Sequence, residues 1–184
     1  MFTVAHAVDV SRVRVGWAVQ WWLIGLFYGV AVFLLWGSLE EDSYIFFRVA
    51  DNVAHGAGYV FNRGGERVET GSSPVWQGLL TLGSGLSVSL YGWAKGLGAA
   101  AAALALWQAR ALERVFMPRS SLMLAPWLLV TSITFLFWSQ SGMETGLFAA
   151  LVLTWARCLL DPSWHRHTGW VGVLLYVCRP EGFL

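Results

Sequence analysis

The sequence predicts an all-α integral membrane protein, a polytopic helical bundle with a long first external loop, on three observations. Of the 184 residues 57% are hydrophobic and only 12% charged, with 12 Trp and a mean hydropathy of +0.56. That charged share is about half of what ordinary soluble domains carry. The run Trp17–Trp36 holds no charged residue, and its 20 positions reach ~30 Å at ~1.5 Å each, the thickness of a bilayer core. Arginines then recur between later apolar runs as the positive-inside rule requires of alternating crossings.

The same composition excludes several classes. A net charge of +1, from 12 basic and 11 acidic residues, removes any argument for nucleic-acid binding by bulk electrostatics. So apolar a chain is not disordered. Cys158 and Cys178 both sit inside apolar runs, so neither a disulfide framework nor a Cys-rich metal site is read, and no Asp/Glu/His cluster is specific enough to claim a metal. No repeat or linker divides residues 1–184, and the alanine run Ala99–Ala103 suits close helix packing in lipid.

Trp17–Trp36 reads as the first span. A signal peptide competes, because Arg12 and Arg14 precede the run, but the run exceeds the ~7–15 residues of an h-region and no A-x-A site follows. Later runs are Leu97–Leu112, Ser121–Trp138, Met143–Leu160 and Gly169–Cys178, the last too short to cross alone. The segment Pro74–Tyr91 is apolar but broken by Gly78, Gly83 and Gly85, and is either a weak span or an interfacial segment. With Arg12 and Arg14 in the cytoplasm and Pro74–Tyr91 not crossing, Arg110, Arg114, Arg119 and Arg166 all return to the cytoplasmic side. The expectation is therefore four complete spans, a fifth starting near Thr168, and a multi-pass protein of the cell inner (cytoplasmic) membrane with its N-terminus cytoplasmic.

Three polar segments then share the external face. The loop from Gly37 to about Lys95 holds six of the 11 acidic residues, and the Ser141–Glu144 turn and Arg179–Glu181 reach the same side. Within the loop Phe46, Val49, Ala50 and Val53 recur at i, i+3, i+4 and i+7, which predicts an amphipathic helix with Arg48, Asp51, Asn52 and His55 on other faces. Asp42 or Ser43 is expected to cap its start, and Gly56 and Gly58 to end it. Tyr59–Glu69 reads as a short hairpin turning at Asn62–Gly65. Pro74 and Trp76 open the next segment, where Trp76 is an interface anchor on the plainest reading. The carboxylates Glu40, Glu41 and Asp42 serve either helix capping and surface charge or, for one of them, general-base chemistry on an acceptor hydroxyl. Spacing alone leaves both open.

These residues carry a resemblance. Glu41-Asp42-Ser-Tyr-Ile-x-Phe-Arg48, then Asn52, then Gly56-x-Gly58-x-Val-Phe-Asn62-x-Gly64-Gly-Glu66-Arg67-Val-Glu69, then Thr70-x-Ser-Ser73-Pro74-Val-Trp76, resemble the first external loop of polyprenyl-phosphate-sugar-dependent glycosyltransferases of the GT-C superfamily. The nearest likeness is to the mycobacterial terminal arabinofuranosyltransferase family. Ser141-Gly142-Met143-Glu144-Thr145 and Arg179-Pro180-Glu181-Gly182 resemble two further motifs of that group, in the same order.

The resemblance implies a GT-C-like bundle with juxtamembrane helices in its first external loop. It implies transfer of a sugar from a polyprenyl-phosphate-linked donor to a glycan, lipid or protein hydroxyl outside the cytoplasmic membrane, without a cofactor. Asp42 or Glu41 would be the catalytic base; the family usually has Asp-Asp here, so the choice stays open. Arg48, Arg67 and Arg179 are candidates to offset the departing phosphate, against binding to anionic headgroups. Glu144 is a candidate to position acceptor or sugar hydroxyls, His55 to share either that role or the phosphate one, and Glu181 to bind substrate beside Arg179, against helix capping or a structural ion pair for the acids and a solvated surface His. Relatives continue well past the Arg-Pro-Glu-Gly motif, which sets the expectation of an N-terminal fragment, inactive alone. The alternatives are a non-catalytic truncated membrane protein or partner subunit, and, less favoured for want of charges within the spans, a transporter segment.

Overall fold

The computed structural model describes residues 16–67 and 73–183. Arg12, Arg14 and residues 68–72 of the loop motif, Glu69 and Thr70 among them, lie outside the described residues, as does the side chain of Glu181. Helix accounts for 75% of the structure with no strand among the described residues, so the chain is all-helical. In order these residues form α1 Trp17–Leu34, α2 Glu41–Ala54, α3 Pro74–Gly85, α4 Leu90–Phe116, α5 Leu124–Val130, α6 Ile133–Gln140, α7 Thr145–Leu160 and α8 Thr168–Cys178. Short 3-10 turns cover Pro162–His167 and Pro180–Phe183.

The long α4 is the axis. Its small buried residues, Gly98, Ala101, Ala102, Ala105 and Ala109, let α7 pack along it, and α3, α5 and α6 also pack against it. Small side chains allow such close backbone approach. Phe46, Ala50, Trp76, Leu80 and Ala94 join α2, α3 and the start of α4, and Leu151, Leu175 and Cys178 join α7 to α8. A third cluster, Ile24, Ala31, Leu106, Met123, Val130 and Leu136, brings in α1, α5 and α6.

The fully buried residues of α1 are Gln20, Ile24 and Ala31, and Trp21 and Tyr28 pack beside them, half-buried. The Gln20 amide donates to the Ser121 carbonyl at 2.8 Å and accepts from the Met123 N–H at 2.9 Å, pinning the loop before α5. Elsewhere α1 is apolar and open, with Trp22 81% and Phe33 79% exposed. It is long and apolar enough to cross a membrane; α6 and α7 qualify only together, across a bend of 117°.

Of the four expected spans, the first alone is a single helix that meets this measure among the described residues, and the other runs are built as follows. Ser121–Trp138 is not one helix, because Thr131 Oγ1 bonds back to the Trp127 carbonyl at 2.8 Å and Ser132 Oγ accepts from the Phe135 N–H at 3.4 Å. The first hydroxyl ends α5 and the second starts α6, the usual competition of such side chains with the helical ladder. Leu97–Leu112 lies inside the 27-residue α4, which is long enough but falls short in hydropathy. Pro74–Tyr91 folds as the 12-residue α3 and the first residues of α4, with Ser87 at φ 56° in the turn between them. At ~18 Å, α3 is too short to cross. Arg110, counted above as a cytoplasmic arginine, is buried against Glu113 at 3.2 Å, so much of its charge is neutralised locally.

In the loop, α2 forms where its apolar period places it, burying Phe46, Val49 and Ala50, and Gly56 and Gly58 end it at φ 77° and 83°. Its start differs from expectation. Glu40 holds the capping position without a side-chain cap, while Ser43 Oγ donates to the Glu40 carbonyl at 2.6 Å. Asn52, placed above among the outward residues, is buried, and its amide donates to the carbonyls of Val60 at 2.8 Å and Phe61 at 2.9 Å. The expected hairpin is reduced to a single bridge, Val60 with Arg67, around a turn in which the Gly65 N–H donates to the Asn62 carbonyl at 2.9 Å.

Candidate functional site

The three polar segments of the sequence come together at one end of the bundle. A glycine in the left-handed region, Gly142 at φ 82°, turns the chain from α6 into α7, and a Cβ there would meet Leu39 at 2.7 Å and Ser43 at 3.0 Å. The Glu40 N–H donates to the Ser141 carbonyl at 2.9 Å, which joins the entry of α2 to that turn. Trp76 donates its indole N–H to the Gly142 carbonyl at 3.0 Å, and Arg179 Nε donates to Glu144 Oε1 at 2.7 Å. Residues 40, 76, 142 and 179 thus share one junction.

Trp76 is corrected by this geometry: it is 1% exposed, a core residue rather than an interface anchor. Proline at the first helical position and Ser73, whose hydroxyl accepts from the Trp76 N–H at 3.3 Å, start α3 so that the indole points inward.

Lys95 is the residue that sequence reasoning missed. Its ammonium is buried and donates to the carbonyls of Leu35 at 2.9 Å, Ser38 at 2.6 Å and Gln140 at 2.6 Å. These carbonyls lie at the C-terminal ends of α1 and α6, where the helix dipole favours a cation. The signal available was a lone lysine set in an otherwise uncharged stretch from Tyr91 to Ala109. Beside it, Tyr28, Ser139 and Gln140 form a chain, with Tyr28 Oη 3.0 Å from Ser139 Oγ and accepting from Gln140 Nε2 at 2.9 Å.

Glu41 and Asp42 occupy the exposed first turn of α2, next to this junction, without an ion pair or hydrogen bond among the described residues. Arg48 lies two turns further along the same helix face, exposed, its Nε donating to the Phe61 carbonyl at 3.2 Å. Arg67 is exposed in the bridged turn. His55 is exposed and 3.2 Å from Asp51 at the far end of α2, so the structure does not bring it to the junction. No group of three His, Cys, Asp or Glu placed to hold a metal occurs among the described residues.

Glu144 and Arg179 differ in exposure, 2% against 30%, and Glu144 Oε2 is buried without a hydrogen-bond partner. Removing Arg179 strands a buried carboxylate, whereas removing Glu144 leaves a guanidinium that can turn to water. Arg179→Met is therefore expected to cost about 3 kcal/mol and Glu144→Met clearly less. Equal losses in thermal unfolding of the two variants would contradict this account.

The class that fold and site define is an all-helical chain with an apolar N-terminal helix and a polar junction of four distant segments at one end. Compared with family models, with curated proteins and with solved structures, the chain matches none.

Proposed function

We propose that this chain is part of a polytopic membrane glycosyltransferase of the GT-C type, moving a sugar from a polyprenyl-phosphate donor to an acceptor hydroxyl on the outer face of the cytoplasmic membrane. The observation that carries this reading is the meeting of the Glu40–Asp42, Ser141–Glu144 and Arg179 segments, the same segments on which the family resemblance rests. The apolar, open surface of α1 supports placing the bundle in lipid, and the polytopic reading adds the 27-residue α4 and the bent α6–α7 pair as further membrane segments.

In this mechanism Asp42 or Glu41 takes the proton of the acceptor hydroxyl. The oxygen attacks the anomeric carbon from the face opposite the phosphate, the carbon–phosphate-oxygen bond breaks, and polyprenyl phosphate leaves with the electron pair. Arg67 and Arg48, both exposed, are the guanidinium groups with charge to spare for the leaving phosphate. Arg179 is committed to Glu144, so its role is to hold that carboxylate in place.

The test is transfer from a radiolabelled polyprenyl-phosphate sugar, in membranes bearing the longest natural form of the chain, with Asp42→Asn and Glu41→Gln made separately. Both variants are expected to reach the membrane and at least one to lose about 100-fold or more in rate. Wild-type rates in both would remove the proposed base. Membrane insertion with no transfer by the wild type would favour the non-catalytic subunit.

A further inference from the structure

At the end of the bundle away from Glu41 and Asp42, three helix ends enclose a second site. Trp17 and Trp21 are one turn apart at the start of α1; Trp107, Arg110 and Arg114 follow one another along the last turns of α4; Arg157 and Asp161 close α7. They line a cavity of about 470 Å³. Its walls are aromatic and cationic together: the Arg114 guanidinium lies 5.5 Å from the Trp17 ring, and that of Arg157 4.1 Å from Trp164 and 5.3 Å from Trp107. Trp107 and Trp164 pack edge to face at 6.2 Å.

Charge accounting separates these arginines. Arg110 is held by Glu113 at 3.2 Å and by the carbonyls of Ser120 and Leu122. Arg157 donates to Asp161 at 3.3 Å and to the Gln108 side chain at 3.2 Å. A hydrogen bond from Ser163, helped by Arg157, holds the Asp161 carboxyl below the usual carboxylate range. Arg114 is exposed and without an ion pair among the described residues. One positive charge is thus unmatched at the mouth of an aromatic cavity.

Position selects the ligand. From Lys95, in the junction layer, to Arg114 is 19 residues of continuous helix, ~28 Å at ~1.5 Å per residue and close to the ~30 Å of a bilayer's hydrocarbon core. Trp17 opens the helix of membrane-spanning length and hydropathy. Tryptophan favours headgroup depth, and basic pockets between helices there suit anionic phosphate. We infer that the cavity bounded by Trp17, Trp107, Arg114 and Arg157 is a binding site for the phosphate headgroup of an anionic phospholipid in the leaflet opposite the junction of Glu40, Lys95 and Ser141. The inference rests on the membrane placement in the proposed function, not on glycosyl transfer.

The experiment is native mass spectrometry of the full chain, purified in detergent and offered phosphatidylglycerol or phosphatidylcholine, after carbonate washing of the source membranes. The expected result is retention in washed membranes, preferential capture of phosphatidylglycerol, and about fivefold weaker capture by Arg114→Gln. Arg114→Lys, which keeps the charge, and Arg119→Gln, on the exposed loop outside the cavity, are expected to capture it nearly as wild type does. Equal capture of the two lipids, or an equal loss in Arg119→Gln, overturns the site. Inorganic phosphate displacing the lipid at millimolar concentration would assign the site to free phosphate and overturn the lipid inference. Release by carbonate overturns the membrane reading and this site together, whereas a washed-in protein indifferent to lipid charge overturns this site alone.

Discussion

Lys95→Met is expected to destabilise the chain by about 3 kcal/mol. The ammonium replaced is 1% exposed and satisfies three backbone carbonyls, those of Leu35, Ser38 and Gln140. Methionine fills similar volume but donates nothing: the Leu35 carbonyl keeps the Ser38 N–H at 3.0 Å, whereas the half-buried Ser38 carbonyl and the buried Gln140 carbonyl are left without the ammonium, at about 1–3 kcal/mol for a buried group. Relief of the ammonium's own burial offsets part of that sum. The carbonyls belong to two different helix ends, so the loss also loosens the tie between the exit of α1 and the Ser141–Glu144 turn. Under the proposed function, Lys95→Met then lowers sugar transfer although Lys95 touches no substrate. Thermal unfolding in detergent checks the stability; a midpoint within a degree of wild type would show that these three bonds contribute little.

Gly98→Ala is expected to be at least as damaging, about 3 kcal/mol or more, for a different reason. A Cβ at Gly98 falls 2.0 Å from the Ser139 carbonyl oxygen and 3.2 Å from its carbon. Both atoms are backbone of α6, so no side-chain rotation relieves the clash, and α4 and α6 must separate. Gly146 approaches the same residue less closely, 3.2 Å from the Ser139 Cα, and its alanine variant is expected to fall between. Gly96, in the same helix, has nothing within 4 Å of a built Cβ. There alanine only improves helix propensity, by up to about 1 kcal/mol. Opposite signs for Gly96→Ala and Gly98→Ala are the outcome that checks the packing; similar effects would mean that α4 and α6 do not touch at Ser139.

Much of the loop was legible because its signals are local. The period of Phe46, Val49, Ala50 and Val53 depends on one helix burying one face, and the stops at Gly56 and Gly58 depend on backbone freedom at those residues. The sequence expects residues 40–42, 141–144 and 179 on one face, and the hydrogen bonds from Glu40 and Arg179 bring these segments into contact. Local signals misled where a neighbour decided the outcome. Trp76 looks the same in sequence whether it lies at an interface or in a core; a carbonyl 66 residues away determines which. The apolar stretch Ser121–Trp138 reads as one crossing because hydropathy averages over Thr131 and Ser132, whose hydroxyls divide it.

What the sequence determined by itself is therefore the helical class, the apolar first helix and the amphipathic α2, since composition and periodicity act within a few turns. Only the tertiary structure decided that Lys95 ties two helix ends, that Glu144 is buried on Arg179, and that Arg110 is matched by Glu113 while Arg114 is not. The reason is physical: whether a charge is solvated, paired or held by carbonyls depends on what other parts of the chain bring within about 4 Å of it, and that distance is not written in residue order.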